Sequence, residues 1–215
     1  MMRVSLFVLA LIGVLFFGGC ASKKEVQIYN KPASYWYEQI IKNIKNLELE
    51  KADDAYTSLV SEHIASPLLP EAMLILSQAH MSEEEYLLAN FYLDEYIKRF
   101  GNEKRSEYAR FMKIKANFES FPNPNRNQQL LIDTIAQTKA FIAQYPTSQY
   151  KAMVETMLVK LELGNYYLDE NIASLYKRID KPQAAELYRE KLKNSPLGEA
   201  KMIEPDIPWY RSMFE

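Results

Sequence analysis

The sequence predicts an all-α chain made of about four stacked helical pairs. Two observations carry that expectation. Apolar residues recur every three or four positions over most of the chain beyond residue 33, and alanines within those stripes return at a fixed interval. A third observation is negative: no segment alternates apolar and polar residues between turn dipeptides, as strands would.

The elements follow in order. Met1-Met2-Arg3 is a short basic start, and Val4 to Phe17 is a largely apolar run of fourteen residues. That is shorter than the ~20 residues a membrane-spanning helix needs, so it reads as the core of a signal peptide covering residues 1–19. Phe17-Gly18-Gly19-Cys20 then resembles a lipobox, with Phe17 in place of the usual Leu and Gly18 in place of the usual Ala or Ser. Cys20 is the single cysteine of the chain, so it has no disulfide partner within it. Acylation of Cys20, palmitate included, would remove a free thiol from an oxidising compartment. At ~0.8 kcal/mol per buried CH₂, several acyl chains anchor the protein almost irreversibly. Ala21, where an Asp would signal inner-membrane retention, points to the outer membrane, with the protein on its periplasmic side. Residues 20–33 are then a lipidated tether, broken by Pro32.

Beyond the tether, Tyr37, Ile40, Ile41, Ile44 and Leu47 share one helical face, and Ala52, Tyr56, Leu59, Val60 and His63 share the next. Ala89, Leu93, Tyr96 and Phe100 form another, as do Leu131, Ile135, Thr138, Ile142 and Tyr145. Breaks fall at Pro67, Pro70, Gly101, Pro122, Pro124, Pro146, Pro182 and Pro196. Ala52 and Ala89 lie 37 residues apart, and the stretch from Glu71-Ala72 to Gln78-Ala79 recurs at the same offset as Tyr108-Ala109 to Lys115-Ala116. Ala184 repeats the Ala-to-aromatic step to Tyr188. A small residue that admits a neighbouring helix, with a bulky one a turn later, is the pattern of tetratricopeptide-like repeats. The expected pairs are 34–64, 67–101, 103–146 and 148–196, with Tyr150 to Arg178 as one long helix weakened at Gly164-Asn165, and 197–215 as a tail.

The sequence offers no catalytic constellation. His63 and His80 stand alone and read as packed or surface residues, and no His-Glu-x-x-His, phosphate loop or Gly-x-Ser-x-Gly elbow occurs. Glu83-Glu84-Glu85 reads as the acidic opening of a helix rather than a metal site. A formal charge of −2 argues against nucleic acid as a partner. The expectation is a binding protein without cofactor or metal, not an enzyme.

Phe141-Ile-Ala-Gln-Tyr-Pro-Thr-Ser-Gln-Tyr150, through Tyr145-Pro146, Ser148 and Tyr150, resembles the BamD (ComL) family, and Asn125 to Gln129 resembles that family's lead-in to the preceding helix. The resemblance spans about residues 34–196. It implies an outer-membrane lipoprotein of the β-barrel assembly machinery (BAM complex) that aids folding and insertion of outer-membrane proteins. Its partners would be the periplasmic domains of BamA, other subunits of the machinery and unfolded outer-membrane proteins. Lys177-Arg178-Ile179-Asp180 and Ala185-Glu186-Leu187-Tyr188 depart from the family's Arg-Gly and Asn-Arg, and a complete fifth pair is missing. The alternative is another tetratricopeptide lipoprotein, such as a pilotin or a cell-envelope accessory.

In such a fold the first helix of each pair lines the concave face. That places Tyr37, Ile41 and Lys45, then Leu74 and Gln78, then Phe111 and Lys115 in a candidate groove for extended peptides, unless they simply pack between repeats. Candidate docking residues for the larger partner are Arg178, Trp209 and Tyr210. The tail holds Ile207, Trp209, Tyr210, Met213 and Phe214, too apolar for a solvated end, so it either caps the last pair or meets a partner. One outcome checks the anchor: Cys20→Ser should leave the chain uncut or released from membranes. Normal processing at Gly19 together with flotation in outer-membrane vesicles would refute it.

Overall fold

The computed structural model describes residues 29–121 and 127–198. Among these, every regular element is a helix: α1 (Ala33–Lys45), α2 (Leu49–Glu62), α3 (Leu69–Ser82), α4 (Tyr86–Phe100), α5 (Glu103–Glu119), α6 (Gln128–Gln144), α7 (Lys151–Arg178) and α8 (Pro182–Lys193). They pack as the four expected pairs, each helix against its chain neighbour, with α1 also reaching α3 and α5 reaching α7. No helix among the described residues is long and apolar enough to cross a membrane. The signal segment, Cys20, the Pro122 and Pro124 break and the tail from residue 199 lie outside the described residues.

Local chemistry explains where the helices start and stop. Asn102 and Asn127 cap α5 and α6, their side-chain oxygens accepting from the amides of Arg105 and Leu130 at 2.9 and 3.1 Å. Pro70 and Pro182 do not break helices; each sits in a first turn, where no amide is needed. Within pairs one, two and four the first helix ends in the same reversal. The amides of Glu48, Glu85 and Lys181 donate to the carbonyls of Asn43, His80 and Tyr176 at 2.9, 2.8 and 3.0 Å, closing a left-handed residue between them. That residue is Leu47, Glu84 or Asp180, with φ of 59°, 62° and 55°. Glu83-Glu84-Glu85 is therefore a turn and not a helix opening. Glu83 caps the C-terminus of α3, and α4 begins only at Tyr86.

The turns between pairs share another device. Ser66 and Ser148 donate their amides to His63 and Tyr145, while their hydroxyls accept from the amides of Leu68 and Tyr150 at 3.2 and 3.0 Å. This is the physical content of Ser148 in the Tyr-Pro-x-Ser-x-Tyr stretch.

The core is a column along the repeats. Ala52, Ala72, Ala89, Ala109 and Ala116 are fully enclosed, as are Ile40, Leu59, Leu69, Met73, Leu76 and Leu93. The first apolar stripe is re-aimed: Trp36 joins Ile40 in the core, its indole N–H donating to Glu62 at 2.8 Å, whereas Leu47 is exposed. In α8 the enclosed alanine is Ala185, not Ala184. Helix α7 runs unbroken through Gly164-Asn165. A smaller cluster of Leu131, Leu161 and Leu168 carries the core toward the last pair.

Non-glycine residues in the left-handed region cost roughly 1–2 kcal/mol, partly offset by the greater chain entropy of glycine when unfolded. Leu47→Gly and Glu84→Gly should each stabilise the fold by roughly 0.5–1 kcal/mol. The check is a rise in denaturant midpoint at unchanged slope.

Candidate functional site

Three residues of the expected groove, Tyr37, Ile41 and Lys45, lie one turn apart on α1. With Glu38, Lys42 and Asn46 they line an open hollow of about 470 Å³. Partial burial and the nearby Glu71 carboxylate push the Tyr37 phenol above its ordinary pKa, so it stays neutral and able to donate. Leu74 on α3 is half-buried against the core. Gln78 is exposed and donates to the Tyr108 hydroxyl at 2.9 Å, tying α3 to α5. Lys115 is half-exposed and pairs with Glu119 at 3.6 Å.

Phe111 departs from the groove expectation. It is 6% exposed, and its ring stacks on Tyr150 at 4.3 Å between centroids and 9° between planes. It closes the seam between α5 and the start of α7 instead of facing a ligand. Tyr108, beside both rings, takes the rim position, and sequence spacing alone did not single it out.

At the other end, Arg178 is exposed in the last turn of α7. With Leu168, Asn171, Ile172, Ser174 and Leu175 it lines a hollow of about 580 Å³. Among the described residues the stripe is uncovered because α7 runs on past α6. Its 28 residues extend ~42 Å at ~1.5 Å per residue, against ~26 Å for the 17 residues of α6 and ~18 Å for the 12 of α8. Leu175 and Ile179 at its end are exposed at 43% and 50%, and Leu187 on α8 at 67%. Trp209 and Tyr210 lie outside the described residues, as does Cys20.

His80 does not stand alone. It is enclosed, with Nδ1 at 2.6 Å from a Glu85 carboxylate oxygen and Nε2 at 3.0 Å from Asp53. Tyr92 stacks on the imidazole at 5.5 Å and donates its hydroxyl to the same Asp53 oxygen at 2.6 Å. Two carboxylates, one on each ring nitrogen, call for two N–H donors and hence the imidazolium. Burial works against that charge, but the bonds and charges of Asp53 and Glu85 outweigh it and raise the pKa. No group of three or more His, Cys, Asp or Glu side chains among the described residues is placed to hold a metal.

Residues 29–196, which take in all eight helices, match a family described as outer membrane lipoprotein under the name YfiO. The chain is 43% identical over 198 residues to the outer membrane protein assembly factor BamD of Helicobacter pylori, covering 92% of this chain and 90% of the relative. The chain belongs to the BamD family. A more distant relative, the outer membrane protein assembly factor BamD of Caulobacter vibrioides, is 22% identical over 178 residues, or 77% of this chain and 58% of that one.

The family match ends at the last helical pair, so the apolar tail lies beyond it. Within the BamD fold, the His80 cluster joins α2 of the first pair to α3 and α4 of the second. Because the folded pKa of His80 is raised above its unfolded value, the stabilisation is complete below about pH 6.5 and fades as pH rises through the folded pKa. Unfolding free energy should therefore fall from pH 6 toward pH 8 and beyond. His80→Gln should flatten that slope and cost about 2 kcal/mol at pH 6, since it strands two carboxylates. Denaturant titrations across that range check both.

Proposed function

We propose that this chain is the lipid-anchored helical scaffold of outer-membrane β-barrel assembly, holding unfolded barrel precursors near the subunit that inserts them. The observation that carries the reading is the identity to a BamD assembly factor along nearly the whole of both chains. The same match disfavours a pilotin. Cys20 places the scaffold on the periplasmic face of the outer membrane, and acylation there needs no spanning helix.

The two ends of the solenoid take two roles. The α1 hollow at Tyr37, Ile41 and Lys45 offers apolar contact beside cations, and the bonded Gln78 and Tyr108 add polar groups on α3 and α5. That mixture suits an extended segment with aromatic side chains and a carboxylate, the chemistry of an unfolded barrel strand. Among the described residues, the stripe Ile172–Leu175–Arg178, above the buried Leu168, is an unfilled edge with a cation at its tip. A periplasmic domain of BamA fits that edge, with Arg178 pairing an acidic residue and the leucines filling the gap. No step in this role forms or breaks a covalent bond, so the chain acts by binding and not as a catalyst.

Detergent-solubilised outer membrane tests the reading directly. The tagged chain should carry the barrel-forming subunit with it, and Arg178→Glu should reduce that recovery at least fivefold while leaving melting unchanged. A cross-linker at position 41 or 74 should label barrel precursors during their synthesis. Recovery of a secretin in place of the barrel-forming subunit, or labelling of no precursor, would sink it.

A further inference from the structure

Helix α5 carries a second stripe on the side away from the groove. Tyr108, Phe111 and Lys115 lie along one face, whereas Arg110, Lys113, Ile114 and Asn117 lie along the other, about half a turn round at ~100° per residue. This second face forms the floor of a cleft of about 350 Å³, walled by Asp94 and Ile97 of α4 and by Gln137, Ala140, Phe141 and Gln144 of α6. From the arrangement of charge, amides and apolar floor we infer that this cleft is a docking site for an extended segment of a partner protein bearing an aliphatic side chain and, two residues along, a carboxylate.

Three features select that occupant. The first is charge. Lys113 is neutralised by its ion pair with Asp94 on the wall, whereas Arg110 is exposed and has no ion-pair partner among the described residues. The cleft therefore presents one net cation, in the fork geometry that favours carboxylates. The second is a set of oriented amides. Asn90 Nδ2 donates to Asn117 Oδ1 at 2.7 Å, and Asn117 Nδ2 donates to Gln137 Oε1 at 3.2 Å. This ladder across α4, α5 and α6 occupies the oxygen of Gln137 and leaves its Nε2 to donate to a main-chain carbonyl. The third is spacing. Arg110 and Ile114 lie four residues apart on α5, a rise of ~6 Å. In an extended strand two residues span ~6.6 Å and return a side chain to the same face. An aliphatic group over half-buried Ile97 and exposed Ala140, above the enclosed Ile114 and Phe141, thus brings the carboxylate two positions away to Arg110.

The experiment uses the full mature chain in detergent and a fluorescein-labelled peptide, Gly-Ser-Leu-Ser-Glu-Ser-Gly with its C-terminus amidated, followed by anisotropy. Saturable binding is expected. It should weaken about tenfold with Arg110→Gln, with Ala140→Trp, which fills the cleft, and with Gln replacing the peptide's Glu. Replacing its Leu by Ser should weaken it similarly. Lys51→Gln, on the exposed face of α2 and outside both the groove and the cleft, should leave binding unchanged. Arg110 and Ala140 are both exposed, and unchanged helical ellipticity and melting of their variants confirm that the fold is kept. Binding that ignores Ala140→Trp and the loss of Leu is a bare charge contact and overturns the inference, as does an absence of saturable binding. Uptake of phosphatidylglycerol vesicles with no uptake of peptide overturns it too, by making Arg110 a lipid contact.

Discussion

The structure depends on how closely its helices approach. Ala52, Ala72, Ala89, Ala109 and Ala116 are wholly enclosed, each where a larger side chain would hold neighbouring helices apart. Alanine contributes little apolar area itself; it lets Leu59, Met73, Leu76 and Leu93 reach across and lose their own exposure. Since a helical pair cannot bury its face alone, each pair is stable only against the next. The core is therefore a continuous column, and the column must have ends. Near the first end, Trp36 and Ile40 cover the first pair. At the other, among the described residues, α8 encloses little beyond Ala185 and nothing further covers the C-terminal stripe of α7.

Some buried polar groups bond back to their own helix, as Ser77, Thr134 and Thr138 do, whereas others lock one helix to another. The Asp53–His80–Glu85 array with Tyr92 joins the first and second pairs, and Lys191 with the buried Asp169 ties α7 to α8 within the last pair at 2.7 Å. Apolar packing tolerates sliding along a helical ridge, whereas a ring held by a carboxylate on each nitrogen has one position. Tyr92 reinforces it from the side: burial first, then its bond to Asp53, raises its pKa well beyond the usual phenol range, so the hydroxyl remains a donor at all ordinary pH. Tyr56, whose ring meets Tyr92 edge-on at 5.1 Å, is pushed by burial up to about 12 and stays neutral as well.

The four pairs were legible in the sequence because helical spacing and the 37-residue recurrence of alanine both report local geometry. What escaped depends on residues far apart in the chain. Glu85 sits in an acidic run that favours a helix start, yet the reversal at Glu84 comes first and His80 takes the carboxylate. His80 looked solitary because Asp53 lies 27 residues away. Phe111 has the right spacing for the inner face, but Tyr150, 39 positions on, closes over it. Of Ala184 and Ala185, the distance to Tyr188 favours the first. Packing against α7, with Tyr188 near Tyr176 and Lys191 on Asp169, turns the helix by one residue and buries the second.

Unequal helix lengths connect this architecture to its use. In the first two pairs the helices run 13 to 15 residues and cover one another. Helix α7, with 28 residues, runs on past the 17 of α6, so among the described residues the stripe through Leu175 and Arg178 keeps an apolar and cationic character with no further repeat upon it. A scaffold needs such an asymmetry. A column closed at both ends would bind nothing end-on, and one open at both would polymerise through its own edges. In the proposed role, an edge left open would give a partner domain a surface to pack on. The lateral faces of α1, α3 and α5 would then remain available for unfolded chains. On that reading substrate and partner need not compete, because one would meet the side of the solenoid and the other its end.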